Sequence, residues 1–155
     1  MIVVDTGFWL ALIDKKDTHH ERAKQALKQY NEPLITTWSV VTETCYLLLT
    51  RKGVDAEIIF LNSLQQELFT IFNLELQHTA RIIELMKKYA DLPMDLADAS
   101  LVILAEHLGH GRIFSVDQRD FNTYRWKQSY PFEKLLCCRK LHFSNKQYSS
   151  LQPHF

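Results

Sequence analysis

Glycine and proline are scarce in this sequence, four of each among 155 residues, and no repeat, low-complexity stretch or Ser/Gly linker interrupts it. A chain of this length with so few breakers predicts one domain rather than two. Cysteine is scarcer still. Cys45 sits inside an apolar stretch and Cys137 and Cys138 are adjacent, which gives neither a disulfide framework nor a CxxC metal knuckle and points to a reducing cytoplasm. No apolar run is longer than a handful of residues, and the opening MIVVDTGF carries an acid at position 5 with no base before it, so neither a membrane span nor a signal peptide is expected. Nor does one sign of charge dominate, since 18 Lys and Arg meet 18 Asp and Glu. That balance excludes the strongly basic surface of a protein that attracts phosphate without specificity; any nucleic acid must be held locally.

What is present is ordinary globular material, 46% hydrophobic and 23% charged, enough for one sizeable core and incompatible with disorder or a coiled coil. The charge is uneven along the chain: fifteen bases face eighteen acids up to Leu136, whereas 137–155 carries Arg139, Lys140 and Lys146 with no acid. The expectation is a domain over 1–136 followed by a basic tail over 137–155, and the opposed charges of the two favour self-association.

Ile2, Val3 and Val4 form a β-branched run without polar alternation, which predicts a strand buried on both faces. Helical patterns follow at 6–14 and 18–30, a strand at 34–36, helices at 39–52 and 55–66, a strand at 69–74 and a helix at 77–89. An Ala- and Leu-rich helix at 96–108 is stopped by Gly109, and strands are expected at 113–116 and 132–136. Alternating strands and helices predict an α/β fold layered around a mainly parallel sheet.

In such a sheet ligands gather at the carboxyl ends of strands, so acids there carry the most information. Asp5 directly follows the first strand and Asp117 directly follows Ile113 to Val116. A helix or turn cap accounts for either alone. Glu43 falls inside the apolar stripe of its helix, between Val40 and Leu47, where an unpaired carboxylate recruits a cation, a basic partner or a proton. Asp95 and Asp98 open the Ala- and Leu-rich helix three residues apart on one face; capping explains one of them well, and two repelling charges less well. Carboxylates from four segments converging on one pocket form a hard oxygen set suited to Mg²⁺ or Mn²⁺ rather than zinc, and the chemistry that follows is phosphodiester hydrolysis with one or two ions.

Other chemistries fail on missing motifs. There is no GxGxxG, GxxxxGK[ST] or GxSxG, and VVDTG lacks the second acid of the DxD phosphatases. His107 and His110 lack further zinc ligands and read as an exposed helix end. Phe8, Trp9, Leu12 and Ile13 read as core rather than a base-stacking platform.

The order IVVDTGFWLALI, SVVTE, MDLADASLVILAEHLG, IFSVDQRDFNTYR resembles the PIN-domain ribonuclease family, most closely its VapC-type toxin branch, from Met1 to about Leu136. The resemblance implies a three-layer α/β/α sandwich whose acidic pocket binds Mg²⁺ or Mn²⁺ and cuts single-stranded RNA. It matches Asp5, Glu43, Asp98 and Asp117 to the family's metal-holding and catalytic acids, with Thr6, Asp95 and Ser115 supporting them. It also implies an antitoxin protein as partner and a homodimer. A housekeeping PIN nuclease in RNA processing shares the same acids, and a PIN-like binding module with little turnover is the third reading; the intact acid set argues against that one. Arg119, Arg125 and Lys127, just after the Asp117 strand end, are the candidate RNA-binding cations.

Overall fold

The computed structural model describes residues 1–117 and 119–136; the tail predicted over 137–155 lies outside the described residues. Its elements run β1 (Ile2–Val4), α1 (Thr6–Ile13), α2 (His20–Tyr30), β2 (Leu34–Thr37), α3 (Trp38–Lys52), α4 (Val54–Gln65), β3 (Thr70–Phe72), a 3₁₀ turn (Leu76–His78), α5 (Thr79–Lys88), α6 (Leu96–Leu108), β4 (Arg112–Phe114), α7 (Asp120–Thr123), β5 (Arg125–Trp126), β6 (Tyr130–Pro131) and β7 (Glu133–Lys134). The main sheet is parallel throughout, in the order β3-β2-β1-β4-β7, and β5 and β6 form a separate antiparallel pair. Ile2 pairs with Leu34 and Val3 with Ile113, so β1 lies at the centre, as its unbroken apolar run demands.

Helices flank this sheet in an α/β/α sandwich, α1 packing with α2 and α3, and α6 with α3 and α5. The core is aromatic near α1: Phe8 stacks on Phe114 at 4.5 Å and Trp9 lies 4.4 Å from Phe69. Both are buried, so they are core, as expected. The strand expected at 113–116 stops at Phe114, because the Ser115 hydroxyl and the Asp117 amide bond to each other instead of to a ladder. The strand expected at 132–136 contracts to β7, and the helix at 77–89 begins with the 3₁₀ turn.

The connectivity places a switch point between β1 and β4. From β1 the chain winds outward through β2 and β3, then crosses to β4 on the opposite side of β1. Loops after these two strands leave in opposite directions and open a crevice at their carboxyl ends.

Candidate active site

Asp5 sits at that crevice. Its amide still bonds to Phe114 O at 3.1 Å, and its side chain caps α1. The carboxylate is 8% exposed and held at both oxygens: Thr6 N donates to Oδ1 at 2.7 Å and Ser115 Oγ donates to Oδ2 at 2.8 Å. The same Ser115 oxygen accepts from Asp117 N at 3.0 Å, so one buried hydroxyl ties the end of β1 to the segment that follows β4. Asp117 Oδ1 in turn accepts from the amides of Arg119 and Asp120 at 2.6 and 2.7 Å.

The other acids arrive on helices. Glu43 projects from the middle of α3 and accepts a short hydrogen bond from Thr6 Oγ1 at its Oε2. Asp95 caps α6, its Oδ1 accepting from Asp98 N at 2.9 Å. Asp98 itself accepts at Oδ2 from the hydroxyl of Tyr124, 3.1 Å away.

All of them line one cleft of about 590 Å³ together with Thr6, Gly7, Val116 and Asp120, over an apolar wall of Leu10 and Leu47. The capping reading holds for Asp5, Asp95 and Asp117, yet capping and convergence coexist in the same side chains. Asp120 and Tyr124 belong to a stretch that the sequence reads as a DF turn, Asp120 as its cap, with no role in the site; the structure brings both to it. Asp120 was legible as an acid three residues beyond Asp117 on the same turn; Tyr124 carries no site motif.

Electrostatics set this cleft apart from the rest of the surface. The ion-paired acids among the described residues are Asp14, Glu21, Glu32, Glu84, Glu106 and Asp120; Asp5, Glu43, Asp95, Asp98 and Asp117 are not among them. Burial pushes Asp5 up from 3.8 to about 7, opposed by its bonds to Ser115 and Thr6 and reinforced by the charges of Glu43 and Asp117. Burial also carries Asp98 up to about 8, with Asp95 and Asp5 adding repulsion against the Tyr124 bond. Glu43 is raised by burial, opposed by Thr6 and reinforced by Asp95.

Carboxylate oxygens that repel one another, those of Asp5, Glu43 and Asp98 also desolvated, fit a hard divalent cation better than any neutral ligand. Among the described residues no three of these side chains already stand in ion-holding geometry. Carboxylate oxygens keep lone pairs beyond the bonds they accept here, so capacity remains.

Of the three candidate cations, Arg119 lines the cleft, its Nε 3.0 Å from Asp120 Oδ1. Arg125 and Lys127 do not line it. Arg125 Nη1 donates to the carbonyls of Asn122, Thr123 and Tyr124, and Lys127 lies over the Trp126 ring beside Glu106, which accepts from its amide.

Residues 2–127 match the family model described as PIN domain. Ribonuclease VapC26 of Mycobacterium tuberculosis (strain ATCC 25618 / H37Rv) is 32% identical over 127 residues, covering 80% of this chain and 92% of that protein. Among solved structures, Mycobacterium tuberculosis VapC20, described as a sarcin-ricin loop cleaving toxin, shares the fold with a TM-score of 0.71 at 21% identity, over 77% of this chain and 92% of that one.

Proposed function

This chain belongs to the PIN domain family, and on that premise we propose that it is a ribonuclease hydrolysing phosphodiester bonds of single-stranded RNA, with Mg²⁺ or Mn²⁺, as the toxin of a toxin–antitoxin pair. The observation that carries the proposal is the set of carboxylates without ion-pair partners in one open cleft, Asp5, Glu43, Asp98 and Asp117, the first three of them desolvated. These four would hold the ion. A divalent cation in such a set supplies activated water and neutralises charge on the reacting phosphate.

The protein's own groups supply rigidity. Asp5 is fixed by two donors, Thr6 holds Glu43, and Ser115 couples Asp5 to the Asp117 segment, so the acids are oriented before any ligand arrives. Raised to about 7 and about 8, Asp5 and Asp98 hold protons near neutrality that a bound cation would displace. Arg119 at the rim offers a cation to a phosphate. Among the described residues no side chain is placed as a covalent nucleophile, so water bonds to phosphorus, the P–O3′ bond breaks and the proton that water loses goes to O3′.

Unstructured RNA incubated with Mn²⁺ or Mg²⁺ is expected to yield fragments with 5′-phosphate and 3′-hydroxyl ends, and EDTA to abolish cutting. Cleavage undiminished by EDTA, or cyclic-phosphate ends, would overturn the mechanism.

Two partners complete the proposal. A homodimer is supported by the exposed apolar residues of α3, Trp38, Tyr46 and Leu49. Light scattering that returns a monomer at micromolar concentration contradicts it. An antitoxin is supported by the name of the solved neighbour and by an apolar groove between α1, α2 and α4, lined by Trp9, Leu12, Leu27, Ile59, Leu68 and Phe69.

A further inference from the structure

Each acid of the cleft is held by a donor from the protein, but the donors differ in kind. Asp5 takes a backbone amide and a serine, Glu43 a threonine, and Asp117 two amides of its own turn. Among the described residues, the one donor to the Asp98 carboxylate is a phenol, that of Tyr124. Tyr124 is 0% exposed: its ring meets Tyr89 edge-on at 5.0 Å and Phe121 at 5.6 Å, and only the hydroxyl reaches the acid.

The backbone around this tyrosine is pinned as well. Tyr124 N bonds to Asp120 O at 2.9 Å, Arg125 N donates to the Tyr89 hydroxyl at 2.9 Å, and the Arg125 guanidinium bridges the carbonyls of residues 122, 123 and 124. A rigid ring on a pinned turn has one place to put its hydroxyl. Asp98, by contrast, is a short carboxylate on the first turn of α6 beside the like charge of Asp95, which repels it; without a donor its rotamer is free to swing away from the cleft.

We infer that Tyr124 is a positioning residue for the cation site. Its hydroxyl binds Asp98 Oδ2 and thereby turns the remaining oxygen toward the cleft, and Arg125 serves as the clamp that keeps the tyrosine in place. The inference rests on the metal-binding reading of the cleft given above. Outer hydrogen bonds of this kind typically govern metal affinity by about 10- to 100-fold.

The test is calorimetric titration of the folded protein with Mn²⁺, alongside steady-state cleavage of an unstructured RNA. Tyr124→Phe keeps the ring and removes only the hydroxyl. It is expected to weaken Mn²⁺ binding by about tenfold or more, to lower kcat at limiting Mn²⁺ with KM for RNA unchanged, and to regain the rate when Mn²⁺ is raised. Phe121→Leu, which loosens the same cluster without touching Asp98, is expected to lower the melting temperature and leave the Mn²⁺ constant alone. If wild type binds Mn²⁺ and Tyr124→Phe binds it within twofold, the inference fails while the nuclease reading stands. If Phe121→Leu weakens Mn²⁺ as much as Tyr124→Phe does, the effect is packing and the inference also fails. A wild type that takes up no Mn²⁺ overturns the metal reading and the inference together.

Discussion

Asp5 shows how one side chain carries two roles with opposite energetic signs. As a cap it stabilises the start of α1; as desolvated carboxylates at about 7 and about 8, Asp5 and Asp98 destabilise the ion-free protein at alkaline pH. The folded state keeps protons that an unfolded Asp, near 3.8, has lost, so the apo protein's stability falls as pH rises from about 4 through about 8. Asp5→Asn, still able to cap α1, and Asp98→Asn, which leaves the Asp95 cap of α6 in place, are therefore expected to melt higher than wild type at pH 8 without metal, and by a shrinking margin as pH is lowered towards 4. Cation affinity runs the other way, rising with pH as these protons leave. At a Mn²⁺ concentration of about a hundred times its dissociation constant, wild type should gain roughly 2.7 kcal/mol and either variant much less at the same concentration. Thermal melts with and without Mn²⁺ across that pH range measure both signs; equal metal-induced shifts in all three proteins would remove these carboxylates from the ligand set. The acids were legible in sequence by place, Asp5 and Asp117 at strand ends and Asp95 and Asp98 at a helix start, and Glu43 most plainly as a charge in an apolar stripe. Tyr124 was not, since a buried aromatic obeys every rule and only the fold points its hydroxyl at Asp98.

At the level of elements, α1 and the segment after β4 meet closely at the cleft. Gly7 lies in α1, and a methyl group added there would come within 2.5 Å of Val116 Cγ2. Alanine in a helix interior is ordinarily better than glycine by up to about 1 kcal/mol. Here a β-branched neighbour with a stiff side chain takes the collision, and overpacking of that kind costs about 1–3 kcal/mol. Gly7→Ala is thus expected to lower the melting temperature. Because Val116 adjoins Asp117, it should also cut the cleavage rate by more than the loss of folded protein explains. A variant that melts higher and keeps full rate would show that Val116 yields. The same scale explains where the sequence was harder to read. The long Ala- and Leu-rich α6 was legible to its last residue because its composition and Gly109 agree. The β5–β6 hairpin was not: its turn places Lys127 and Gln128 at φ of 42° and 68°, conformations that usually announce themselves with Asn or Gly. The segment beyond Phe114 reads as strand from its apolar residues, but a local bond between Ser115 and Asp117 wins over the ladder.

Taken as a whole, the molecule carries a second surface whose chemistry differs from that of the acidic cleft. The groove between α1, α2 and α4 encloses about 590 Å³, is mostly apolar, and is bordered by Ile59 and Leu68, which are 57% and 62% exposed. At its wall the Trp9 ring is 5% exposed and its indole Nε1 has no hydrogen-bond partner. Leaving a buried donor unmatched costs about 1–3 kcal/mol. Apolar side chains of an incoming chain would cover the groove, where each buried methylene contributes about 0.8 kcal/mol. Such a surface, with Lys15 as its one cation among the described residues and an otherwise mostly apolar lining, suits a peptide segment of a protein partner better than a phosphate backbone. Ile59→Glu and Leu68→Glu place charges on exposed positions, so melting temperatures should stay close to wild type. Both are expected to abolish copurification with the co-expressed product of the neighbouring reading frame, whereas Asp98→Asn, altered in the cleft, should still copurify. Retention of that product by both glutamate variants would move the partner's binding surface away from this groove.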